Sequence, residues 1–480
     1  MTRLLIILLM ISVLPGALCA QDGHYWTQQY GTKSMLLSGS VIGGVEDLGA
    51  VYYNPGRLAV IKNPAFLLSA SVYEYNALSA SDAFGAKKSV SKAEVRGVPT
   101  LAAGTFKLRF LPKHFFAYAV MNRQLSDVSL SFKDEVTKEV FPTLPGDENF
   151  SAEMAIANKS NEQWIGLTWS HALSNKISVG VSSNLVSNTQ TKGNSIELQA
   201  MAANDSVAIY QYRRSFTYSE TGLLWKIGVA GSFGKWNLGL TIKTPMLSLS
   251  GSGSYNYQEF FSSIPGLNTI PEIYATSSQD GLAMKSNQPW AVGFGASRSL
   301  GKNIIHLSAE WYSSVSKYTM MTAANHTIQS NPTATPLGFI LTDQASSVWN
   351  AGLGMEFYIS EHISGFASFS TDYSSVSSDI THFIERQTEA SNNAWKANFF
   401  NVGGGFVLNF KGADVTLGVT HTGARQTIPR PLNFPDGSGG GIFDPNATSD
   451  LQWNRWRFVF SFSFPFLADY AKKLEGGGDK

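Results

Sequence analysis

Charged residues are scarce in this chain of 480 residues. Asp, Glu, Lys and Arg together make up 15% of it, against roughly 25% in a typical soluble domain. The formal net charge is +1 at pH 7, so no large field of one sign attracts a polyanion, and a nucleic-acid partner is not indicated. The composition leaves much apolar surface with little charge to solvate it.

Cysteine is nearly absent, since Cys19 is the single one. It lies in a stretch typical of a secretory signal peptide, with Arg3 as the positive start, an apolar core at 4–14 and small residues for cleavage within 17–20. We expect a signal peptide at 1–20. The alternative is a lipoprotein acylated at Cys19, but Leu18 stands where a small residue is expected. Without disulfides, an exported chain must gain stability from burial or from closure of a sheet.

Long apolar runs are also missing. After the signal peptide no segment has the 18 or more consecutive apolar residues of a membrane-spanning helix, which excludes a helical bundle of the inner membrane. A β-barrel is not excluded, because its strands show only alternating hydrophobicity over about ten residues.

Motifs for catalysis are absent as well. The eight histidines are scattered singly, and no His-Glu-x-x-His motif, Gly-x-Ser-x-Gly elbow or phosphate-binding loop occurs. His306 and Glu310 are predicted to share the lumen side of one strand, where a solvated polar lumen accounts for them. A lipid hydrolase would need a Ser–His pair at the lipid face, for which no motif is present. We predict no enzyme activity, no metal site and no cofactor.

Alternation of apolar and polar residues is abundant. In 223–233 apolar side chains share one face from Leu223 to Phe233, while Lys226 and Gly228 share the other. The stretch 236–243 repeats the pattern after a two-residue separation, which predicts a tight hairpin. Tryptophans near predicted strand ends fit the interfacial girdle of a barrel, namely Trp164, Trp290, Trp311, Trp349 and Trp456.

Connections are predicted to alternate between short and long. The short turns fall near 111–114, 174–176, 234–235, 300–302, 360–361 and 411–412, and the long loops at 76–99, 133–160, 191–222, 253–287, 318–345, 376–394 and 425–452. This alternation is typical of a transmembrane barrel with short periplasmic turns. We predict an all-β fold, a 14-stranded antiparallel transmembrane β-barrel over 61–466, with a periplasmic tail at 467–480.

One of these loops resembles a strand itself. The stretch 206–219 has strand-like composition, and we interpret it as a hairpin arm above the membrane. Its Arg213 and Arg214 would be unfavourable in a lipid-facing wall, because a charge there costs about 2 to 4 kcal/mol at the midplane.

Residues 21–60 precede the first strand and do not alternate. They are rich in glycine, and Asp47 and Asn54 are able to bond their own backbone, while Pro55 ends any ladder. The segment is therefore predicted to be a compact, turn-rich unit. A fourteen-stranded barrel has a lumen wider than its inward side chains fill, so we place this unit in the lumen as a plug.

The run GSVIGGVEDLGAVYYNPGRLA at 39–59 resembles the N-terminal hatch of the FadL-like outer-membrane transporters of long-chain fatty acids and other hydrophobic compounds. The residues that carry the resemblance are Asp47, Tyr53, Asn54, Pro55 and Gly56. The pair Gly56-Arg57 departs from the family's more frequent Ala-Gly. Weaker agreement is found at 239–251 and 288–315.

The resemblance implies a barrel in the bacterial outer membrane that is plugged by the hatch. It implies passive entry of hydrophobic small molecules, with a hatch rearrangement and a lateral opening of the wall. The expected partners are this ligand, outer-membrane lipid and lipopolysaccharide, and the expected state is a monomer.

The stretch 255–274 is unusually apolar for a loop in water. We predict that it captures ligand through Tyr255, Tyr257, Phe260, Phe261, Ile264 and Leu267. The alternative is that these side chains pack against neighbouring loops and form a lid.

Two functions remain open at this stage. The first is a channel for passive uptake of hydrophobic compounds such as long-chain fatty acids. The second is a non-transporting barrel that binds proteins, such as a shuttle component of the type IX secretion system, whose barrels share an aromatic-Asn-Pro hatch motif. A continuous apolar cavity from 255–274 to the hatch would favour the channel, and a lumen filled by side chains would favour the binding role.

Overall fold

A computed structural model gives the architecture of the chain. It describes 23–463 except 62–66, 69–71, 86–87, 107, 109, 112, 140–145, 264–271, 378–388, 393–395, 411–412, 431–432 and 434–445. The predicted signal peptide, the tail, the turn at 411–412 and the residues Ile264 and Leu267 lie outside the described residues.

Strands make up most of the described chain, and three short helices precede them. The helices are α1 (Lys33–Leu36), α2 (Ala50–Tyr53) and the 3-10 helix η1 (Pro55–Ala59). The strands are β1 (Leu67–Leu68), β2 (Val72–Ser81), β3 (Val90–Val98), β4 (Leu101–Phe106), β5 (His114–Lys138), β6 (Glu148–Ala172), β7 (Ile177–Met201), β8 (Val207–Phe233), β9 (Trp236–Lys243), β10 (Leu247–Ser262), β11 (Ile273–Ala283), β12 (Ala291–Leu300), β13 (Asn303–Tyr312), β14 (Val315–His326), β15 (Leu337–Ala345), β16 (Val348–Ser360), β17 (Ile363–Asp372), β18 (Glu389–Ser391), β19 (Phe399–Phe410), β20 (Ala413–Pro429) and β21 (Thr448–Ser463). Among the described residues, no helix has the length and hydropathy needed to cross a membrane.

Eighteen of the strands form one antiparallel sheet that closes on itself, because β21 pairs with β1 and β2. Four wall strands consist of two segments each, namely β1 with β2, β3 with β4, β9 with β10, and β11 with β12. The described residues thus form a ring of fourteen wall strands. The predicted all-β barrel is confirmed.

The two faces of the wall differ as the alternation predicts. On β8 the outward Ile227 is 43% exposed, whereas the inward Lys226 is 3% exposed. On β9, Leu238 and Leu240 are exposed, while Thr241 is buried. The outer face thus carries an apolar band and the inner face carries polar groups.

Several predicted loops are wrong, because the wall strands continue through them. β7 and β8 are joined by 202–206 alone, so 207–219 of the stretch 206–219 form the upper half of the wall strand β8 and the count of fourteen is unchanged. β5 and β6 each have 25 residues, which at about 3.3 Å per residue far exceeds an apolar band about 25 Å tall. Above that band both faces carry polar residues, and the periodicity that reveals a strand in sequence fades.

A second sheet covers the end of the barrel opposite the short turns. We call it the cap sheet, and it consists of β14, β15 and β18. β14 and β15 are antiparallel, and β15 pairs in parallel with β18, which belongs to the next connection along the chain. The cap sheet therefore ties two connections together.

Candidate functional site in the barrel lumen

Asp47 organises the segment that was predicted to be the hatch. Its carboxylate accepts hydrogen bonds from the backbone N–H groups of Thr32 (2.8 Å), Ser34 (3.0 Å) and Gly49 (2.9 Å). These donors lie at the starts of α1 and α2, where backbone N–H groups lack partners within the helix. One side chain thus holds both helices in place.

Asn54 joins the hatch to the wall. Its Oδ1 accepts from the Gly56 N–H at 3.0 Å and so caps η1, in which Pro55 is the first residue. Its Nδ2 donates to Ile42 O at 2.9 Å and to Val229 O of β8 at 3.1 Å. Asn54 is fully buried, so each of these groups would be costly to leave unpaired.

The hatch backbone lies directly on glycines of the wall. A Cβ added at Gly228 would lie 2.2 Å from Asn54 Oδ1 and 2.8 Å from Pro55 Cδ. A Cβ at Gly56 would lie 2.8 Å from Gly228 O, and one at Gly180 would lie 2.5 Å from Pro55 O. Because no side chain fits between the two backbones, these glycines form the seat of the hatch.

Serines of the wall bind the hatch backbone around the ring. Ser178 and Ser170 donate to Gly56 O at 2.7 and 3.2 Å, and Ser182 donates to Val51 O at 2.7 Å. On the opposite side, Ser368 donates to Leu36 O at 2.7 Å. The hatch is thus fixed by polar contacts from several strands.

Tyr53 and Arg57 complete the motif. The Tyr53 hydroxyl accepts from the Tyr30 N–H at 3.0 Å. Arg57, the departure from the family pattern, is buried and donates to Val45 O at 3.3 Å and to Asn237 Oδ1 at 3.4 Å. Asn237 is the second residue of β9 and lies beside the turn that precedes this strand. Arg57 therefore fixes the hatch to the end of the barrel that has the short turns.

The N-terminal arm, residues 23–29, rises from the hatch toward the cap sheet. Asp372 accepts from the N–H groups of Tyr25 and Trp26 at 2.9 and 3.0 Å. Tyr25 stacks on Tyr312 at 4.0 Å. The Gly23 carbonyl accepts from the Ser375 N–H at 2.8 Å, beyond the end of β17. The arm therefore crosses the lumen along its height.

Charged side chains surround the arm. Glu310 accepts from Trp26 Nε1 at 2.8 Å and pairs with Lys226 at 3.3 Å, and His306 lies 2.8 Å from Glu356. His306 and Glu310 are both buried on the inner face, as predicted. A cavity with room for roughly one water molecule lies between the arm, Lys226 and Glu310. This part of the lumen is filled by side chains.

Lys243 differs from its neighbours. It is 7% exposed on the inner face of β9, and no carboxylate or carbonyl among the described residues lies within hydrogen-bonding distance of its ammonium. Arg123, buried nearby, donates to Tyr25 O at 3.0 Å and forms no ion pair in the described part of the chain. The lumen therefore holds positive charge that lacks a counter-charge in direct contact.

The four predicted capture residues that the structure describes lie on a wall strand and not on a loop. Residues 252–261 of β10 pair with 273–283 of β11, because the ladder continues above the apolar band. Tyr255 and Tyr257 are buried on the inner face, and Phe260 and Phe261 are half-buried. Tyr255 stacks on Phe339 of the cap sheet at 4.6 Å.

These residues belong to a larger apolar cluster beneath the cap sheet, which we call the cap chamber. Its buried members are Tyr212, Phe216, Tyr218, Tyr255, Tyr257, Ala275, Met284, Met320, Met321, Ala323, Ile328, Phe339 and Leu341. Aromatic rings and flexible thioethers together accommodate apolar ligands of different shape.

Side-chain amides join the cap sheet to the wall. Gln279 of β11 accepts from the Ala324 N–H at 2.7 Å and donates to Ala324 O at 2.8 Å. Gln329 bonds Thr276 reciprocally, with both distances at 3.0 Å. We call these four bonds the amide seam. It covers the edge of β11 where a continuous ladder is absent among the described residues.

The inner face of β8 leads from the cap chamber to the hatch. In order it presents Tyr212, Arg214, Phe216, Tyr218, Glu220, Gly222, Leu224, Lys226 and Gly228, and the Arg214 guanidinium lies 5.3 Å from the ring centroid of Phe339. Glu220 is buried and accepts from the Ser286 N–H at 3.3 Å. Below it, Leu224 belongs to the apolar cluster that contains Trp164 and the hatch tyrosines. The apolar line is thus interrupted by two charged side chains, Arg214 and Glu220.

The hydrogen-bonded ladder of the wall is interrupted between β3 and β5, and we call this interruption the opening. β4 pairs with β5, but among the described residues no ladder pair joins β3 to β5. Pro99 separates β3 from β4 and has no N–H to donate, and the bond from the Asn122 N–H to Thr100 O, at 3.1 Å, lies at the lower edge of the opening. Above it, Phe84 stacks on Phe132 at 3.4 Å.

Some residues of this site escaped the sequence interpretation. Trp164, expected in the interfacial girdle, is buried in the lumen and donates to Glu162 at 2.6 Å. Lys243 lies on the face that alternation predicts to be inward. A charged residue at an inward position was the sequence feature that could have identified it as a site residue. Phe339 had no signal, because it is adjacent to Tyr255 only in the folded barrel.

Groups that titrate are also present in the cap sheet. Burial lowers the pKa of His326, whose ring lies 4.9 Å from that of Tyr257. Hydrogen bonds from Lys317 and Thr342 lower the pKa of Glu389. Among the described residues no group of three or more His, Cys, Asp and Glu side chains is arranged to hold a metal ion.

Comparisons with known proteins place this architecture. No family model matches the sequence, and no curated protein matches it significantly. A crystal structure of a Pseudomonas aeruginosa FadL homologue matches with a TM-score of 0.51 and 9% identity, covering 92% of this chain and 100% of that one. The P. putida toluene transporter TodX matches with a TM-score of 0.53 and 10% identity, covering 91% and 98%. This chain therefore has the fold of the FadL-type β-barrels.

Proposed function

We propose that this chain is a bacterial outer-membrane channel for passive uptake of hydrophobic compounds, and that its ligands are long-chain fatty acids. The observation that carries the proposal is Lys243, a buried cation without a direct counter-charge, below a mostly apolar line. A fatty acid supplies both the apolar chain and the carboxylate that such an arrangement requires.

Other features support an uptake route. Tyr257 belongs to the cap chamber, and Phe261 is in register with Ile273, which packs against that chamber. Phe260 lies on the opposite face at the same end of the strand. The opening between β3 and β5 offers an exit through the wall. We place it near the upper border of the apolar band, because Tyr75 at that height pairs with Val95 of β3 and with Trp456 of β21. The solved barrels with this fold include one described as a toluene transporter.

The hatch closes the other end of the route in this proposal. Asp47, Tyr53, Asn54, Pro55 and Gly56 act as the residues that shape and seat it. The division into a hatch at 21–60, a barrel at 61–466 and a tail at 467–480 remains a prediction.

The test compares ligands that differ only in the head group. Palmitate and hexadecanol are titrated against the detergent-solubilised barrel and its Lys243→Met variant, with the exposed turn variant Lys176→Met as a control. A hydrogen bond to a charged group contributes about 1.5 to 3 kcal/mol, so palmitate should lose roughly tenfold or more in affinity in Lys243→Met. Hexadecanol should be unaffected, and Lys176→Met should leave both ligands unchanged. Equal loss of both ligands would remove the carboxylate role.

Entry is tested with the triple variant Tyr257→Ala, Phe260→Ala and Phe261→Ala in vesicles. We expect slower uptake of palmitate, because the apolar surface of the entrance is reduced. The variant should still form the complete ring of wall strands.

Two observations favour the alternative function, a barrel that binds proteins. The lumen around the N-terminal arm is filled by side chains, and the apolar line is interrupted at Arg214 and Glu220. If neither palmitate nor hexadecanol binds to the unaltered barrel, the protein-binding function replaces uptake.

A further inference from the structure

The lipid-facing surface carries an arginine near its lower border. Arg298 is exposed on β12, two residues before the end of the strand at Leu300. It shares the outward face with Phe294, which is 50% exposed. Charge on this face is least unfavourable at the membrane border, at about 0 to 1 kcal/mol, but an arginine there still requires an anionic partner or water.

The surroundings of Arg298 supply no such partner. Its guanidinium lies 5.0 Å from the ring centroid of Trp236 on the neighbouring strand, with which it is in register. Among the described residues no carboxylate forms an ion pair with Arg298 or with Lys235. The Ser299 N–H donates to Lys235 O at 2.9 Å, so the two cationic residues belong to adjacent positions of the same rim.

Trp236 adds a third donor. Its ring is 43% exposed, and its indole N–H has no acceptor among the described residues. Beside it the wall is aliphatic, since Leu238 is 45% and Leu300 is 42% exposed. A guanidinium, an ammonium and an indole N–H above an aliphatic surface match an anion that carries acyl chains.

We propose that Arg298, Lys235 and Trp236 bind the phosphate of a phospholipid in the periplasmic leaflet, with its acyl chains along Leu238 and Leu300. The proposal rests on the membrane location proposed above, and not on transport. Arginine binds phosphate through paired N–H groups, and its planar face remains free to stack on the indole. The site anchors the seam between β9 and β12 to the membrane.

The experiment measures lipid retention by native mass spectrometry. The full-length barrel is delipidated and titrated with phosphatidylglycerol, and the double variant Lys235→Gln, Arg298→Gln is compared with Lys176→Gln, a lysine of another turn. We expect retention to fall about tenfold in the double variant and to remain unchanged in the control. Trp236→Phe should give a smaller loss, because it removes one donor and keeps the ring.

Two further arms identify the ligand. Diacylglycerol, which lacks the phosphate, should not be retained at this site, and inorganic phosphate should not displace the lipid. Equal retention of phosphatidylglycerol in the double variant, equal retention of diacylglycerol, or displacement by inorganic phosphate would overturn the proposal. Palmitate binding is measured in the same samples. If the barrel retains phosphatidylglycerol but does not bind palmitate, the uptake function is contradicted and the phospholipid site is not.

Discussion

The two ends of the lumen are closed in different ways. At the end with short turns, the hatch is held by backbone hydrogen bonds from wall serines and Asn54 and by glycines that admit no side chain. At the other end, the cap sheet rests on aromatic rings and methionines and is joined to β11 by glutamine amides. The first closure is polar and geometrically exact in its fit to the wall, and the second is apolar and adaptable.

This difference teaches where change is tolerated. Where the hatch backbone contacts the wall backbone directly, no side chain can adjust to a shift. We therefore expect the hatch to occupy a single position on the wall. Thioethers and aromatic rings can repack around a guest. An apolar ligand should therefore enter by displacing cap contacts, and the hatch should respond only to a change large enough to break several polar contacts together.

The largest effect is expected from Phe339→Ala, which attacks the apolar closure. Phe339 is fully buried against Tyr255 and Phe216, and such truncations cost about 3 to 5 kcal/mol. Hydrogen exchange should rise across β14 and β15 while the hatch stays protected. Ile340→Ala, on the exposed face of the same strand, is the control. Equal exchange in the two variants would refute the role of the buried face.

Gly228→Val attacks the polar closure. The added side chain meets Asn54 and Pro55, and overpacking of this kind costs about 1 to 3 kcal/mol. The hatch should lose protection in hydrogen exchange and vesicles should leak small solutes, with the cap sheet unchanged. Gly97→Val, at a position with no neighbour within 4 Å, should do neither. If hydrogen exchange of the hatch in Gly228→Val equals that in the unaltered chain, the wall can adjust to the added side chain and the prediction is wrong.

The amide seam is expected to matter less. Gln279→Ala with Gln329→Ala removes the four bonds of the amide seam and the bond from Gln279 to Ser277 Oγ. The freed backbone groups lie at an exposed edge where water replaces the partner, so about 1 kcal/mol per residue is expected. Exchange should rise at 276 and 324 and palmitate should enter faster. Gln258→Ala, exposed on the outer face of β10, should change neither. Slower entry in the double variant would contradict a seam that restrains the cap sheet.

Sequence predicts these two closures unequally. The barrel wall can be predicted from alternation. One face of each strand is in an apolar environment, and apolar residues therefore recur at every second position there. The hatch contacts of Asp47 and Asn54 follow in part, since short polar side chains bond nearby backbone wherever they lie. Asn54 bonding to Val229 does not follow, because that contact is set by closure of the ring.

The upper wall and the cap sheet were harder to predict. Residues 206–219 have strand-like composition, but Arg213 and Arg214 argued against a lipid-facing wall. The sequence does not show that the wall continues above the apolar band, where such charges are tolerated. β18 consists of three residues, and its parallel pairing with β15 joins positions about fifty residues apart. Neither Leu341 nor Ala390 has a local sequence feature that predicts their pairing.

Acidification should sharpen the contrast with the smallest effect of all. Burial lowers the pKa of His326 below its ordinary value, so the neutral ring is favoured in the folded cap sheet. The stabilisation is complete above the ordinary histidine pKa and is lost as pH falls through the lowered one. Glu389, whose pKa is lowered by Lys317 and Thr342, gives the same sign at lower pH, below the ordinary carboxyl range.

Both groups lie in the cap sheet, so hydrogen exchange there should rise as pH falls below about 6.5, after correction for the intrinsic rate, while the hatch is unaffected. His326→Phe keeps a ring on Tyr257 and removes the titration. It should abolish the first step and leave the step that belongs to Glu389. If the first step persists in His326→Phe, another group controls the cap sheet, and the hatch and the cap sheet would then differ in packing but not in their response to pH.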